Sequence, residues 1–186
     1  MKKIIALLTA LCLVLCCVSA LGEALRAGGD PVEFDGFTLN LEEGVIYQQA
    51  QKLPSQVYVT VYPYYTSGDQ ATNINCTWIA TSEKLLPETV KADLEASRSS
   101  IEKGFADAGY SLDSYEFTDP AEKEIGGVSC VVNDNKMLIS AGGMSVNIYQ
   151  RVFYFGEKGF IFTVSAAGSE DLENACAWLE SVLLWP

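Results

Sequence analysis

The chain predicts an α+β fold, a central antiparallel β-sheet flanked by two main helices. Three observations carry this. Strand-type segments fall into two blocks, and one amphipathic helical segment follows each block. The strands of the first block are joined by connections too short for a helical crossover, which makes them antiparallel. From Phe34 onward no stretch has the composition of a second linker, so residues 34–186 read as one domain.

The elements follow in order. Phe37, Leu39 and Leu41 alternate with Thr38 and Asn40, and Glu42-Glu43-Gly44 turns the chain into a strand over Val45–Gln49. Val57–Tyr62 is rich in β-branched and aromatic residues, the composition of a strand. Beyond Ser67-Gly68-Asp69, Ile74, Cys76 and Trp78 alternate with Asn73, Asn75 and Thr77 in a further strand over Asn73–Ala80. Pro87 suits a first helical position and Glu88 the positive end of the helix dipole. Val90, Leu94, Ser97, Ile101, Phe105 and Ala108 then share one helical face, and Gly109 stands where a left-handed cap ends the helix.

Strands return over Ser111–Thr118, Val128–Asn133, Ser145–Phe155 and Phe160–Ala166, with turns expected at Asn133-Asp134-Asn135 and Gly156-Glu157-Lys158-Gly159. Ser169 is the expected N-cap of a closing helix, with Glu170 and Asp171 in its first turn. The apolar face of that helix is Leu172, Cys176, Leu179, Val182 and Leu183.

The front of the chain reads as an address. Met1-Lys2-Lys3 is basic, Ile4–Val18 is apolar, and Ser19-Ala20 is small, the layout of a secretory signal peptide over residues 1–20. Cleavage is expected after Ala20, with Ala24 as the alternative. An uncleaved anchor is a further alternative, since extension through Leu21 approaches the length of a membrane span. Leu15 before Cys16, and Cys16 before Cys17, fit poorly with a lipidation site, so both cysteines read as apolar filler. Residues 21–33 carry Gly22, Gly28, Gly29 and Pro31 without apolar periodicity and read as a flexible leader. The expected location is secreted or in the extracytoplasmic cell envelope of a bacterium, with no stable membrane insertion once the signal is removed.

Charge and composition exclude several functions. Twenty-four acidic residues against 12 basic ones give a formal charge of −12, which loss of Lys2 and Lys3 takes to −14. A phosphate backbone is held by clustered Lys and Arg, so no nucleic-acid partner is expected. The chain has no histidine, which removes His triads, His-ligated metals and His proton shuttles. No nucleophile elbow, phosphate loop or dinucleotide fingerprint occurs, and no catalytic residue or cofactor is expected. Asp113, Glu116 and Asp119, like Glu33 and Asp35, miss the spacing of a calcium loop, so no metal site is expected either. The sequon Asn75-Cys76-Thr77 lies inside an expected strand behind a bacterial-type signal and is set aside.

Of six cysteines, Cys76, Cys130 and Cys176 remain after the signal; three allow at most one bridge within a monomer, and whether any pair forms one stays open. Cys176 lies on an apolar helical stripe, where core packing is its expected role. The sites singled out are aromatic. Tyr58, Tyr62 and Tyr64 fall on one face of an extended segment, with Tyr65 at its end. Covered by a helix they are core; uncovered, Tyr62, Tyr64 and Tyr65 around Pro63 form a partner-binding edge.

Several stretches resemble the PsbP-like superfamily, which includes PsbP, DcrB and Mog proteins. Phe34-Asp35-Gly36-Phe37-Thr38-Leu39 is similar to the family's opening strand, and Glu124-Ile125-Gly126-Gly127-Val128 to its turn into a central strand. Tyr149-Gln150-Arg151 with Phe160-Ile161-Phe162-Thr163-Val164 resembles the late hairpin, and Leu179-Glu180-Ser181-Val182 the closing helix. Family members often carry Pro-x-x-Trp after the first strand, where this chain has Glu42-Glu43-Gly44-Val45. The resemblance implies a PsbP-like sandwich and a role in binding or assembly, with no catalytic residues to carry over. The expected function is therefore a non-catalytic binding or accessory module whose partner is an unknown protein or envelope component. The alternatives are a carboxylate-based hydrolase of envelope polysaccharide, which needs two opposed acids, and a structural subunit of an envelope complex, which needs a large exposed apolar face.

Overall fold

The computed structural model describes residues 23–64 and 71–186, so the signal segment 1–20 and Tyr65 lie outside the described residues. The fold is α+β. Its main sheet has nine strands, all paired antiparallel: β1 (Ala24–Arg26), β4 (Ile46–Gln49), β5 (Gln56–Tyr62), β6 (Asn73–Trp78), β7 (Ser111–Phe117), β8 (Ala121–Ile125), β9 (Val128–Ala141), β10 (Met144–Phe155) and β11 (Phe160–Ala166). Across the sheet they run β1-β4-β5-β6-β11-β10-β9-β7, with β8 beside β7 on the outer edge of β9. A second sheet joins β2 (Val32–Phe34), β3 (Phe37–Leu39) and β12 (Leu183–Leu184). The two α-helices among the described residues are α1 (Pro87–Asp107) and α2 (Ser169–Val182). No helix among the described residues is long and apolar enough to cross a membrane.

Both helices follow their local chemistry. Pro87 opens α1, where its missing N–H costs nothing. Gly109 (φ +85°) closes it, with Tyr110 N–H donating to Phe105 C=O and Gly109 N–H to Ala106 C=O. Ser169 is the first helical residue of α2 and Gly168 its cap; no side chain caps this end, but Glu170 and Asp171 stand in the first turn.

Three readings need correction. Within 21–33, Ala24–Arg26 pairs with β4 and Val32–Phe34 with β3, while Ala27 is buried and its C=O accepts from Gly44 N–H. Backbone pairing, which apolar periodicity does not report over three-residue strands, ties this stretch into the fold. Asn133-Asp134-Asn135 is no turn but the middle of β9, paired residue for residue with Val152, Arg151 and Gln150. The turn signal there came from side chains placed for other reasons, described below. Finally, a bulge between Val57 and Val59 breaks the alternation of β5, so Tyr62 does not share the face of Tyr58.

The sheet has two differently built faces. On the α2 face, Phe153, Phe155, Phe160, Phe162 and Val164 pack against Leu172, Ala175, Cys176, Leu179 and Val182 of the helix. The small sheet closes the same core through Phe34, Phe37, Leu39 and Leu183. Phe37 meets Phe160 and Phe162 edge-on at 5.2 and 5.1 Å, and Trp185 tilts over Phe155 at 4.7 Å. The face is tied down by charge as well. Arg151 forks onto Asp134 at 2.6 and 2.8 Å and onto Glu173 of α2, and Lys123 reaches Glu180. On the other face, Val90 and Leu94 of α1 pack on Val131, Val152, Tyr154 and Ile161, and Ile101 and Phe105 on Tyr115, Met137 and Ile139.

Gly36 shows how close the small sheet sits. Its φ is +112°, and a Cβ there would stand 2.8 Å from the Phe160 ring. Gly36→Ala is expected to cost roughly 1–3 kcal/mol, read as a lower denaturant midpoint with an unchanged slope. A midpoint within error of the wild type would mean that this close approach is not maintained in solution.

Candidate functional site

The α1 side of the main sheet carries a polar inlay at its centre. Strand pairing lines up two neighbouring rungs. One runs Gln48, Thr60, Asn75, Thr163, Val152 and Asn133 across β4, β5, β6, β11, β10 and β9. The next runs Asn73, Ser165, Gln150 and Asn135. Nine of these ten side chains are polar, and all nine are uncharged. Eight of them, all but Gln48, are buried, with Thr163 and Gln150 at 0% exposure. A sheet face beneath a helix ordinarily carries apolar residues, as the opposite face does; here alternation places amides and hydroxyls inward instead.

Part of the inlay is internally satisfied. Thr60 Oγ1 donates to Asn75 Oδ1 at 2.7 Å, Asn75 Nδ2 to Asn73 Oδ1 at 2.9 Å, Gln150 Nε2 to Ser165 Oγ at 3.0 Å, and Asn133 Nδ2 to Asn135 Oδ1 at 2.9 Å. Tyr115 OH also donates to Asn135 Oδ1, at 3.3 Å. Burial is the main force pushing the Tyr115 phenol far above its ordinary range, so that hydroxyl stays a donor. Four buried atoms on these rungs have no hydrogen-bond partner among the described residues: Gln48 Oε1, Asn133 Oδ1, Asn135 Nδ2 and Thr163 Oγ1. An unpaired polar atom in a core costs about 1–3 kcal/mol, so a run of them marks a place that water or a ligand completes. Together they offer a donor, two acceptors and a hydroxyl able to act as either.

The ionisable groups nearby are few. Asp93 and Ser97 are the buried polar residues of α1, and Ser97 Oγ donates to the Asp93 C=O. Asp93 is the one buried carboxylate among the described residues. On the opposite side of the sheet a shallow cavity of about 190 Å³ is lined by Thr118, Asp119, Lys123, Asp134 and Arg151. Its two cations are already engaged by Asp134, Glu173 and Glu180. Among the described residues no group of three or more His, Cys, Asp or Glu is arranged to hold a metal ion.

The tyrosines are dispersed. Tyr58, the bulge residue, is 3% exposed in the α2-side core, and its hydroxyl accepts from Asp35 N–H and Gln49 Nε2. Tyr62, paired with Ile46, is half-buried and points to the α1 side. Tyr64 is half-buried against the α2-side core. Tyr65 is not among the described residues. The residues that sequence reasoning missed are those of the inlay. Their signal was present as Asn-x-Asn in two places, Asn73/Asn75 and Asn133/Asn135, each a pair of amides at strand spacing.

Cys76, Cys130 and Cys176 are free and buried. Burial pushes the Cys130 and Cys176 thiols up to about 12 from 9.0. Both therefore stay protonated and unreactive in the native state. An acid whose native value is raised favours folding below its unfolded value, and that support fades as pH climbs through the native one. Stability is accordingly expected to decline between pH 9 and about 12. Alkylation at pH 8 is expected to leave both thiols unlabelled until denaturant is added; rapid labelling of the native protein would contradict their burial.

No protein-family model matches the sequence, and no curated protein does. Among solved structures, the chain is similar to cyanobacterial PsbP (CyanoP) from Synechocystis sp. PCC 6803, at 15% identity over 90% of this chain and 95% of that one, with a TM-score of 0.45. It is also similar to LpqN of Mycobacterium tuberculosis, involved in cell envelope biogenesis, at 15% identity over 91% and 88% of the two chains, with a TM-score of 0.34.

Proposed function

We propose that this chain is a non-catalytic binding or accessory module of the extracytoplasmic envelope, and that the polar inlay on the α1 side of its sheet, buried in the ligand-free chain, is the layer a ligand completes. The observation that carries the reading is the set of four buried, uncharged hydrogen-bonding atoms left unpaired on adjacent rungs. A surface of amides and hydroxyls without a full charge suits a neutral ligand that offers hydroxyl or amide groups of its own, such as a saccharide or a short peptide backbone. The hydrolase alternative requires two opposed acids, and that Asp93 is the single buried carboxylate among the described residues favours binding over it.

Thermal melts with neutral oligosaccharides and with amide-bearing cell-wall fragments test the reading. A ligand that binds the native state alone raises the melting temperature with concentration. The expected result is such a rise for one class of fragment, abolished in Asn135→Leu. New reducing ends in the incubated saccharide would move the protein to the hydrolase class. No rise with any fragment would remove the inlay as the layer a ligand completes.

A further inference from the structure

The main sheet has an edge unlike its others. Strand β10 pairs with β9 from Met144 to Tyr154, but with β11 only from Tyr149 to Phe155. Over Met144–Ile148 no strand among the described residues lies on its outer side, and Met144–Asn147 are exposed. Sheet edges are usually protected against pairing by charge, bulges or brevity, and the other edges here are. Strand β7 carries Asp113, Glu116 and a register shift between Leu112 and Ser114; β8 carries Glu122, Lys123 and Glu124; β1 is three residues long and ends in Arg26. From Met137 to Gln150 there is no charged residue and no proline.

The geometry of this edge is set by its turn. Gly142 (φ +58°) and Gly143 (φ +83°) form a two-residue hairpin, so Ala141 and Met144 exchange hydrogen bonds, as do Ile139 with Val146 and Met137 with Ile148. Ser145 and Asn147 therefore direct their N–H and C=O groups outward, in phase with Tyr149, which faces Ala166 of β11. Met144 (74% exposed) and Val146 (51%) project on one side of the sheet and Ser145 and Asn147 on the other.

We propose that this edge pairs with the same edge of a second copy of the chain, antiparallel about a two-fold axis through Val146. The segment Met144-Ser145-Val146-Asn147-Ile148 is complementary to itself in that register. Ser145 faces Asn147 of the partner subunit twice, completing the outward hydrogen bonds. Met144 meets Ile148 of the partner subunit, and Val146 meets its own counterpart at a non-hydrogen-bonded position. Apolar side chains cover apolar ones, and no charge lies in the contact even though each chain is strongly acidic. The two sheets become one through β10, and the assembly closes as a dimer without leaving a further open edge of this kind.

Light scattering and a cysteine variant test this on the purified protein. The expected mass is twice that of the chain, falling to the monomer in Val146→Lys, which sets two ammonium groups on the axis while the far-ultraviolet spectrum stays that of the wild type. Val146→Cys keeps the side chain small. Its counterpart would lie at about 4.5 Å between Cα atoms, within disulfide range, so a mild oxidant is expected to give a covalent dimer. A wild-type monomer at the highest attainable concentration overturns the proposal. A dimer that survives Val146→Lys and fails to cross-link through Val146→Cys also overturns it, since the contact then lies elsewhere.

Discussion

Phe37→Ala is expected to lower the stability of the protein by about 3–5 kcal/mol, a large share of the roughly 5–15 kcal/mol that holds a domain of ordinary stability together. The ring is 1% exposed. It stacks on Phe34 at 5.0 Å and meets Phe160, Phe162, Tyr58 and Trp185 edge-on at 5.1–6.4 Å. These partners come from β2, β5, β11 and the C-terminal tail, so the cavity left by truncation has walls belonging to four segments and cannot collapse onto any one of them. The measurement is urea unfolding. A drop in midpoint with an unchanged slope is the expected form, because the native area stays buried while its packing is lost. Phe117→Ala, at a half-buried position on the α1 side, serves as the contrast and should cost distinctly less. Equal losses at both positions would mean that the aromatic cluster around Phe37 has no special weight.

Thr163→Val is expected to act in the opposite direction. The hydroxyl is fully buried, and its Oγ1 has no partner among the described residues. Valine keeps the branched shape and removes an unpaired oxygen, so the ligand-free protein should gain about 1–3 kcal/mol. The same variant should lose the melting-temperature rise that a neutral fragment gives the wild type. Gain of stability with loss of binding is the signature of a polar atom held in reserve for a ligand. If Thr163→Val is instead destabilised, the hydroxyl already has a partner in the folded protein, and the reserve does not exist.

These two positions mark what was readable in the sequence and what was not. Phe37 belongs to an alternating apolar run, and the helix stripes Val90–Phe105 and Leu172–Val182 repeat at helical spacing, so strands, helices and the aromatic core follow from periodicity. Thr163 alternates just as well, yet its pattern of Phe162-Thr163-Val164-Ser165 reads as an ordinary strand with one wet face. Only the strand order, which brings β5, β6, β11, β10 and β9 side by side, shows that the wet positions of five strands form one buried area. Asn133-Asp134-Asn135 misled for the same reason. Its amides are turn-formers by habit, but here they face the inlay while Asp134 meets Arg151 across the strand pair. The single face expected for the tyrosines fails at one inserted residue, since the bulge at Tyr58 turns Tyr62 to the opposite side. The short strands β1 and β8 rest on backbone pairing, which side-chain composition does not encode.

The segment from Leu183 to Trp185 bears on how quickly the molecule can assemble its core. Leu183 lies opposite Leu39 in the small sheet, and Trp185 donates from Nε1 to the Ile125 carbonyl while its ring caps Phe155. These contacts join stretches far apart in the sequence, so the aromatic core is complete only when all of them have met. Contacts that span most of the sequence also close slowly. The rate of folding is therefore expected to be set by the return of Leu183 and Trp185 onto Leu39 and Ile125.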